Sequence, residues 1–188
     1  MMTFLFDLLY SRPGVMNAHH SKAALNECLL APDWPHEQIV DQDLATALAD
    51  QTGYEHRWLI NPQTGEVAFW TADTGIDGQT PADLDELGLV CIDPLPSWVW
   101  YQDMADFADG ITDDRAGRRL ARAIRGKGAF RRFKDELQEE YPGLLESWYA
   151  FRDARATRRA VQWLADNSLI HDEAADRFLT SHPDPDLP

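Results

Sequence analysis

A block of positive charge interrupts this otherwise acidic chain. The 188 residues carry a net charge of −15, yet residues 115–134 contain nine Arg or Lys and no Asp or Glu. Residues 1–114, by contrast, contain three basic residues and 20 acidic ones. Because unpaired cations are too costly to bury, the fold must either pair this block with its own carboxylates or leave it open to an external anion.

The composition predicts a folded protein. Hydrophobic residues make up 44% of the chain, and seven Trp, eight Phe and five Tyr provide enough apolar surface for a core. Cys28 and Cys91 form neither a Cys-x-x-Cys pair nor a disulfide framework, which favours the reducing cytoplasm. Because no segment has the length of a transmembrane helix, we expect no membrane partner. The acidic surface would repel nucleic acid at long range, so any anion site must be local.

The spacing of apolar and turn-forming residues predicts an α+β fold. Residues 39–50 have helical spacing, and two aromatic and β-branched runs, residues 54–60 and 66–71, flank a turn sequence typical of a β-hairpin. Residues 89–92 predict a third strand. Since most of the chain after this strand has helical spacing, a small antiparallel sheet, made of the hairpin and one strand, would pack with a mainly helical C-terminal half.

Three regions are predicted along the chain. Residues 38–180 would form a single α+β domain. Residues 1–37 would be a peripheral N-terminal extension, and residues 181–188, which are rich in Pro and Asp, a disordered tail.

Four sequence blocks characterise the domain. They are the basic block at 123–135, the hairpin at 56–67, a Trp-Tyr-x-Phe-Arg-Asp motif at 148–153 and a helix at 160–164. Together they resemble the uncharacterised bacterial protein family numbered 0158 over residues 39–168. The resemblance implies an α+β bacterial cytosolic protein. It implies no activity, so it assigns no functional residues.

Residues 112–140, which contain the block of positive charge, are expected to form two helices joined by a turn. Residues 112–125 predict the first helix, with Thr112 as its N-cap, and residues 129–140 predict the second. The glycines of the turn allow positive φ, so its backbone N–H groups could converge on an anion at the start of the second helix. The candidate anion-binding residues are Arg122, Arg125, Gly126, Lys127, Gly128, Arg131 and Arg132. Alternatively, the glycines only turn the chain and the arginines pair with its carboxylates.

Two aromatic groups invite interpretation. Trp98, Trp100 and Tyr101 predict either core packing or a partner-binding patch, since Trp and Tyr are favoured anchors at interfaces. Arg152 and Arg155 follow closely on a second aromatic group, which predicts structural contacts of their guanidinium groups with rings and carboxylates.

No residue pattern predicts catalysis, a metal site or a cofactor. The histidines lack ligand spacing, Cys91 lies in an apolar run typical of a buried residue, and the turn matches neither a P-loop nor a dinucleotide fingerprint. We therefore predict a non-enzymatic cytoplasmic protein that acts through contacts with a protein partner. The alternative is binding of nucleic acid or another phosphate-bearing polyanion through residues 115–134. A third hypothesis is an enzyme whose site assembles from scattered residues.

Overall fold

The computed structural model describes residues 42–52, 55–76 and 88–188. The predicted N-terminal extension, residues 1–37, lies outside these ranges, and so does Cys28. In the described residues a helix precedes a small antiparallel sheet and a run of helices follows it, so the predicted α+β class is confirmed.

The sheet has four antiparallel strands in the order β3-β2-β1-β4. The strands are β1 (His56–Ile60), β2 (Val67–Thr71), β3 (Gly75–Ile76) and β4 (Val90–Ile92). The predicted hairpin is confirmed, with His56 opposite Thr71 at one end of β1 and Ile60 opposite Val67 at the other. The third predicted strand corresponds to β4. β3 is not predicted from the sequence. It lies in a segment with the composition of a polar loop, and its two residues are too few to show the alternation typical of a strand.

The described residues contain six α-helices, one before the sheet and five after it. They are α1 (Gln42–Ala49), α2 (Ser97–Gly110), α3 (Asp114–Ala123), α4 (Ala129–Glu139), α5 (Leu145–Asp166) and α6 (Asp172–Ser181), with a 3-10 turn at Pro142–Leu144. The two helices predicted in the basic block are α3 and α4. Asp113 rather than Thr112 caps α3, because its Oδ1 accepts hydrogen bonds from Arg115 N at 2.8 Å and Ala116 N at 3.1 Å.

Two hydrophobic clusters share the long helix α5. In the first, Ile60 and Ile92 of the sheet pack with Leu48 of α1, Leu164 of α5 and Phe178 of α6. This cluster therefore fixes one face of the sheet against three helices.

The second cluster joins α2, α3, α4 and α5. Phe107 of α2 lies among three aromatic rings, those of Phe133, Trp148 and Phe151, with centroids 5.2 to 6.3 Å away. Leu120 of α3 is fully buried in the same cluster. The inward side of the basic block is thus part of the core, and only its outward side is left for a ligand.

The chain from residue 181 to 188 packs against the helical half, which corrects the prediction of a disordered tail. Asp184 accepts a hydrogen bond from Arg155 Nε at 2.9 Å. Thr112 N donates to Pro188 O at 2.6 Å, and Leu187 packs against the second cluster. The composition of the tail does not indicate this order, because every one of these contacts joins it to a segment that is distant along the chain.

Candidate functional site

Helix α3 carries three arginines on its outward side. Arg115, Arg118 and Arg122 follow i, i+3, i+7 spacing, so they project from the same side of the helix, and all three are exposed. On the opposite side, Ala116 and Leu120 are buried. The sequence thus makes an amphipathic helix whose polar side is largely arginine.

The arginine-bearing helix is held close to α2 at Gly117. A Cβ built on Gly117 would lie 2.7 Å from the carbonyl oxygen of Ala108, which is closer than real Cβ atoms approach a backbone oxygen. Glycine at this position therefore allows the close packing that sets the position of α3.

The turn between α3 and α4 presents two further cations. Gly126 and Gly128 adopt left-handed φ values of 78° and 75°, which glycine tolerates without strain. Arg125 and Lys127 are exposed in this turn. The turn therefore extends the row of positive charges beyond the end of α3.

Arg132 belongs to the turn itself rather than to a ligand site. Its Nε donates to Ala123 O at 2.9 Å and its Nη2 to Arg125 O at 2.5 Å, while Nη1 donates to Lys127 O. These bonds satisfy carbonyl groups that the end of a helix leaves without partners. The sequence predicts that backbone N–H groups converge on an anion here; instead, carbonyl oxygens converge on a guanidinium. Arg132 is thus removed from the anion-binding set and holds the turn.

Arg119 is also used within the fold. Its Nε lies 2.5 Å from Glu136 Oε1, and its Nη1 donates to Glu140 Oε2 at 3.0 Å. Desolvation alone would lower the pKa of Arg119, but the two carboxylates outweigh it and raise that pKa above its usual range. Arg119 therefore ties α3 to α4 and is not part of the open surface.

Two exposed arginines have weak carboxylate partners. Arg118 Nη1 lies 3.6 Å from Asp114 Oδ2, and Arg131 Nε lies 3.5 Å from Asp135 Oδ2. The arginine side chains remain 71% and 82% exposed. Exposed pairs of this kind contribute at most about 1 kcal/mol, so an incoming anion can replace them.

On α3 and in the turn that follows it, four cations have no carboxylate of the described residues within 4.0 Å. They are Arg115, Arg122, Arg125 and Lys127. We call these four, together with Arg118 and Arg131, the cationic face. Five of these six residues lie on α3 or in the turn that follows it.

The cationic face has no exposed aromatic ring of its own. Phe133 is 2% exposed and lies edge-on to Trp148, with centroids 4.8 Å apart. Phe130 is half-buried, packs towards Trp100 and lines a shallow apolar pocket with Lys134 at its border. Neither ring is therefore presented for stacking on a base.

The aromatic group at the start of α2 is split by the helix. Trp100 is 2% exposed, and its ring lies under the Arg159 guanidinium at 4.9 Å, so its assignment to a partner-binding patch is wrong. Trp98 is 67% exposed and Tyr101 is 36% exposed. Residues i and i+3 share one side of a helix and residue i+2 does not, which explains the division.

A buried carboxylate that the sequence pattern did not single out joins α2 to α5. Asp103 is 1% exposed, and its carboxylate accepts a hydrogen bond from Arg159 Nη1 at 2.7 Å and another from Arg155 Nη1 at 3.1 Å. Arg155 also binds Asp106 and Asp184. Burial alone would lower the pKa of Arg155, but its hydrogen bonds to the three aspartates raise it well above its usual range. Since these charges neutralise one another, the cluster is structural.

One sequence signal could have located this cluster. Asp103 and Asp106 are three residues apart on α2, while Arg155 and Arg159 are four residues apart on α5. Each pair therefore shares one side of its helix. Two helices with complementary pairs of charges are candidates to pack against each other.

A second buried carboxylate, Asp50, joins the end of α1 to β1. Its Oδ1 accepts from Thr52 N at 2.8 Å, while its Oδ2 accepts from Trp58 Nε1 at 2.8 Å and lies 2.6 Å from His56 Nε2. Burial alone would raise the pKa of Asp50, but these hydrogen bonds, led by those from Thr52 and Trp58, lower it. With both oxygens engaged, Asp50 has the environment of a structural group.

The described residues contain no group of three or more His, Cys, Asp or Glu side chains placed to hold a metal ion. Cys91 is a free thiol and is half-buried rather than fully buried, because it lies on the edge strand β4. In the same ranges, each helix is either too short or too polar to cross a bilayer.

Comparison with known proteins connects the chain to one family. A family model described as "Uncharacterised protein family (UPF0158)" matches residues 45–181. The chain is similar to the UPF0158 protein PA5073 of Pseudomonas aeruginosa, with 33% identity over 129 residues that cover 68% of this chain and 81% of that protein. No solved structure matches significantly. The resemblance identified from the sequence blocks is thereby confirmed.

Proposed function

The chain belongs to the UPF0158 family, which is described as uncharacterised, and we propose that it is a non-enzymatic binding protein whose cationic face holds the phosphate backbone of a nucleic acid. The observation that carries this proposal is that four cations, close together on α3 and the turn that follows it, have no carboxylate partner among the described residues. We place the protein in the cytoplasm, where nucleic acid is accessible and the free thiol of Cys91 stays reduced.

Unpaired cations are unexpected in a chain of this composition. The sequence has 32 acidic residues and 17 basic ones, so carboxylates outnumber cations by almost two to one. Arg115, Arg122, Arg125 and Lys127 nevertheless have no carboxylate of the described residues within 4.0 Å. An Arg-rich surface of this kind suits phosphate oxygens, because the guanidinium donates two parallel hydrogen bonds to an anion.

The same charge distribution limits the mode of binding. The acidic body repels a polyanion at long range, so attraction arises only where the cationic face is near the ligand. Binding should therefore depend steeply on salt concentration and show little preference for base sequence, since phosphate contacts carry no sequence information.

The test is fluorescence anisotropy of a labelled nucleic acid of about 20 nucleotides or base pairs, titrated with the full chain at about 50 mM and 200 mM salt. We expect micromolar binding at the lower salt concentration and a large loss at the higher one. The double variant Arg122→Ala, Arg125→Ala should weaken binding at least about tenfold, since it removes two of the phosphate contacts.

Two single variants that remove one charge each, Arg122→Ala and Arg177→Ala, separate the cationic face from general charge. Arg177 is exposed on α6, a different helix, so Arg177→Ala changes the net charge without changing the cationic face. We expect this variant to bind as the wild type does. Equal losses in the two variants, or no binding by the wild type at low salt, would refute the proposal.

Trp98 favours a second candidate, binding to a protein partner. A tryptophan that is 67% exposed beside an exposed tyrosine is the type of anchor that dominates interfaces. Under this alternative, Trp98→Ala would abolish capture of a specific protein by the immobilised chain, while Arg122→Ala would leave that capture unchanged. A capture that depends on Arg122 and not on Trp98 would exclude it.

A further inference from the structure

We propose that the ligand of the cationic face is a nucleic acid duplex, which is held along its phosphate backbone in a sequence-independent way. This inference rests on the proposed function and specifies the form of nucleic acid that the same face binds. It depends on the length of the row of cations, on the position of the aromatic rings and on the release of counterions from the ligand.

The row of cations has a length that suits several consecutive phosphates. From Arg115 to Arg122 the helix rises about 10 Å, because each residue adds about 1.5 Å. One strand of a duplex carries a phosphate about every 3.4 Å of rise along the axis, so the length of α3 matches the rise of about three phosphates when the two axes are parallel. Arg125 and Lys127 continue the row past the end of the helix. Five cations, counting Arg118, can therefore contact a continuous stretch of backbone.

The surroundings of this row do not favour single strands. Proteins that bind single strands combine a basic groove with aromatic rings on which the bases stack. Here Phe133 is buried and Phe130 is half-buried, while the cations project from the convex surface of a helix. The pocket beside Phe130 holds little more than a water molecule and cannot accept a base. A single strand would thus have phosphate contacts alone.

The release of counterions separates the two ligands. Without stacking, the release of counterions must supply the attraction that overcomes the acidic body. Each neutralised phosphate contributes about 0.9 to the salt slope for a duplex and about 0.7 for a single strand. Five contacts therefore predict slopes of about −4.5 and about −3.5. If the two ligands bound equally at 1 M salt, the duplex would bind about 20-fold more tightly at about 50 mM.

The turn that bears Arg125 and Lys127 is also held in a fixed conformation. The guanidinium of Arg132 binds carbonyl oxygens from both ends of the turn, at Ala123 and Lys127, so the backbone that bears Arg125 is fixed before a ligand arrives. A fixed row loses less conformational entropy on binding. A ligand whose phosphates are regularly spaced, as in a duplex, gains the most binding free energy from cations that are fixed in position.

The experiment measures anisotropy for two random-sequence duplexes of about 20 base pairs and for one strand of each, over about 50–250 mM salt. We expect equal affinity for the two duplexes, a slope near −4.5 and binding about 20-fold tighter than that of the single strands at the lowest salt concentration. Arg122→Ala should reduce the magnitude of the duplex slope by about 0.9, whereas Arg177→Ala should leave it unchanged.

The outcomes distinguish the two proposals. Equal or tighter binding of single strands would overturn the duplex assignment and leave nucleic acid binding in place. A marked preference between the two duplex sequences would also overturn it, because backbone contacts do not read bases. If neither duplex nor single strand bound at low salt, both proposals would be wrong.

Discussion

Replacement of Asp103 is the perturbation whose cost follows most directly from the structure. Asp103 is 1% exposed and accepts hydrogen bonds from Arg155 and Arg159. Removing one member of a buried ion pair costs about 3–5 kcal/mol. The two guanidinium groups keep 23% and 21% of their side-chain surface exposed, so water can solvate them in part. Asp103→Ala should therefore destabilise the fold by about 3 kcal/mol, near the lower end of that range.

Asp106 offers a matched control on the same helix. It is half-buried, and Arg155 keeps two other aspartates when Asp106 is lost. Asp106→Ala should therefore cost about 1 kcal/mol. In a protein of this size, each kcal/mol corresponds to about 2–4 °C in Tm, so the two variants should differ by about 4–8 °C.

Urea and thermal unfolding followed by tryptophan fluorescence would measure both variants. Equal midpoints for Asp103→Ala and Asp106→Ala would refute the reasoning, because they would mean that burial adds nothing to the value of the Asp103 contacts. A loss below about 1 kcal/mol for Asp103→Ala would refute it as well.

Three further predictions concern the turn, the packing of α3 and the acid response. Arg132→Ala should weaken duplex binding several-fold without changing the salt slope, because Arg132 positions the turn and does not contact phosphate; a reduced slope would contradict this role. Gly117→Ala should lower the free energy of unfolding by about 1–3 kcal/mol, because the new Cβ meets the Ala108 carbonyl, whereas Gly143→Ala, with open space around it, should change it little. The pKa of Asp50 is lower in the folded state than its unfolded-state value near 3.8, so its ionised carboxylate stabilises the fold at pH values above 3.8. This contribution is lost as the pH falls through the lower pKa of the folded state. The difference in urea midpoint between the wild type and Asp50→Asn should therefore shrink from pH 6 to about pH 3, and a constant difference would count against the assignment.

The elements that could be predicted from the sequence are those with local causes. The hairpin follows from a turn sequence between two alternating runs, and α3 and α4 follow from a basic amphipathic pattern broken by Gly126 and Gly128. The ring contact predicted for Arg155 is confirmed as well, since its guanidinium lies 4.7 Å from the ring of its sequence neighbour Phe151. In each case neighbours along the chain determine the result.

The features that could not be predicted depend on contacts between distant segments. Asp103 and the arginines of α5 are about 50 residues apart, and the tail at Asp184 meets Arg155 across 29 residues. The sequence shows the charge of Arg132, which favours a ligand-binding role, but not the carbonyl oxygens that converge on its guanidinium. The sequence therefore indicates which side chains can bind an anion, while the fold decides which of them are already occupied.

Arg115 provides the clearest test of whether the cationic face is maintained for binding. It lies in the first turn of α3, where the helix dipole disfavours positive charge, and it has no carboxylate within 4.0 Å among the described residues. Arg115→Glu would place a favourable charge at this end and set a carboxylate four residues before Arg119. We expect the variant to be more stable by about 0.5–1 kcal/mol in urea unfolding and to bind duplex more weakly, with a shallower salt slope. A residue that weakens the fold and strengthens binding is typical of a functional surface. If Arg115→Glu instead lowered stability and left binding intact, Arg115 would serve the fold and the cationic face would lose one of its members.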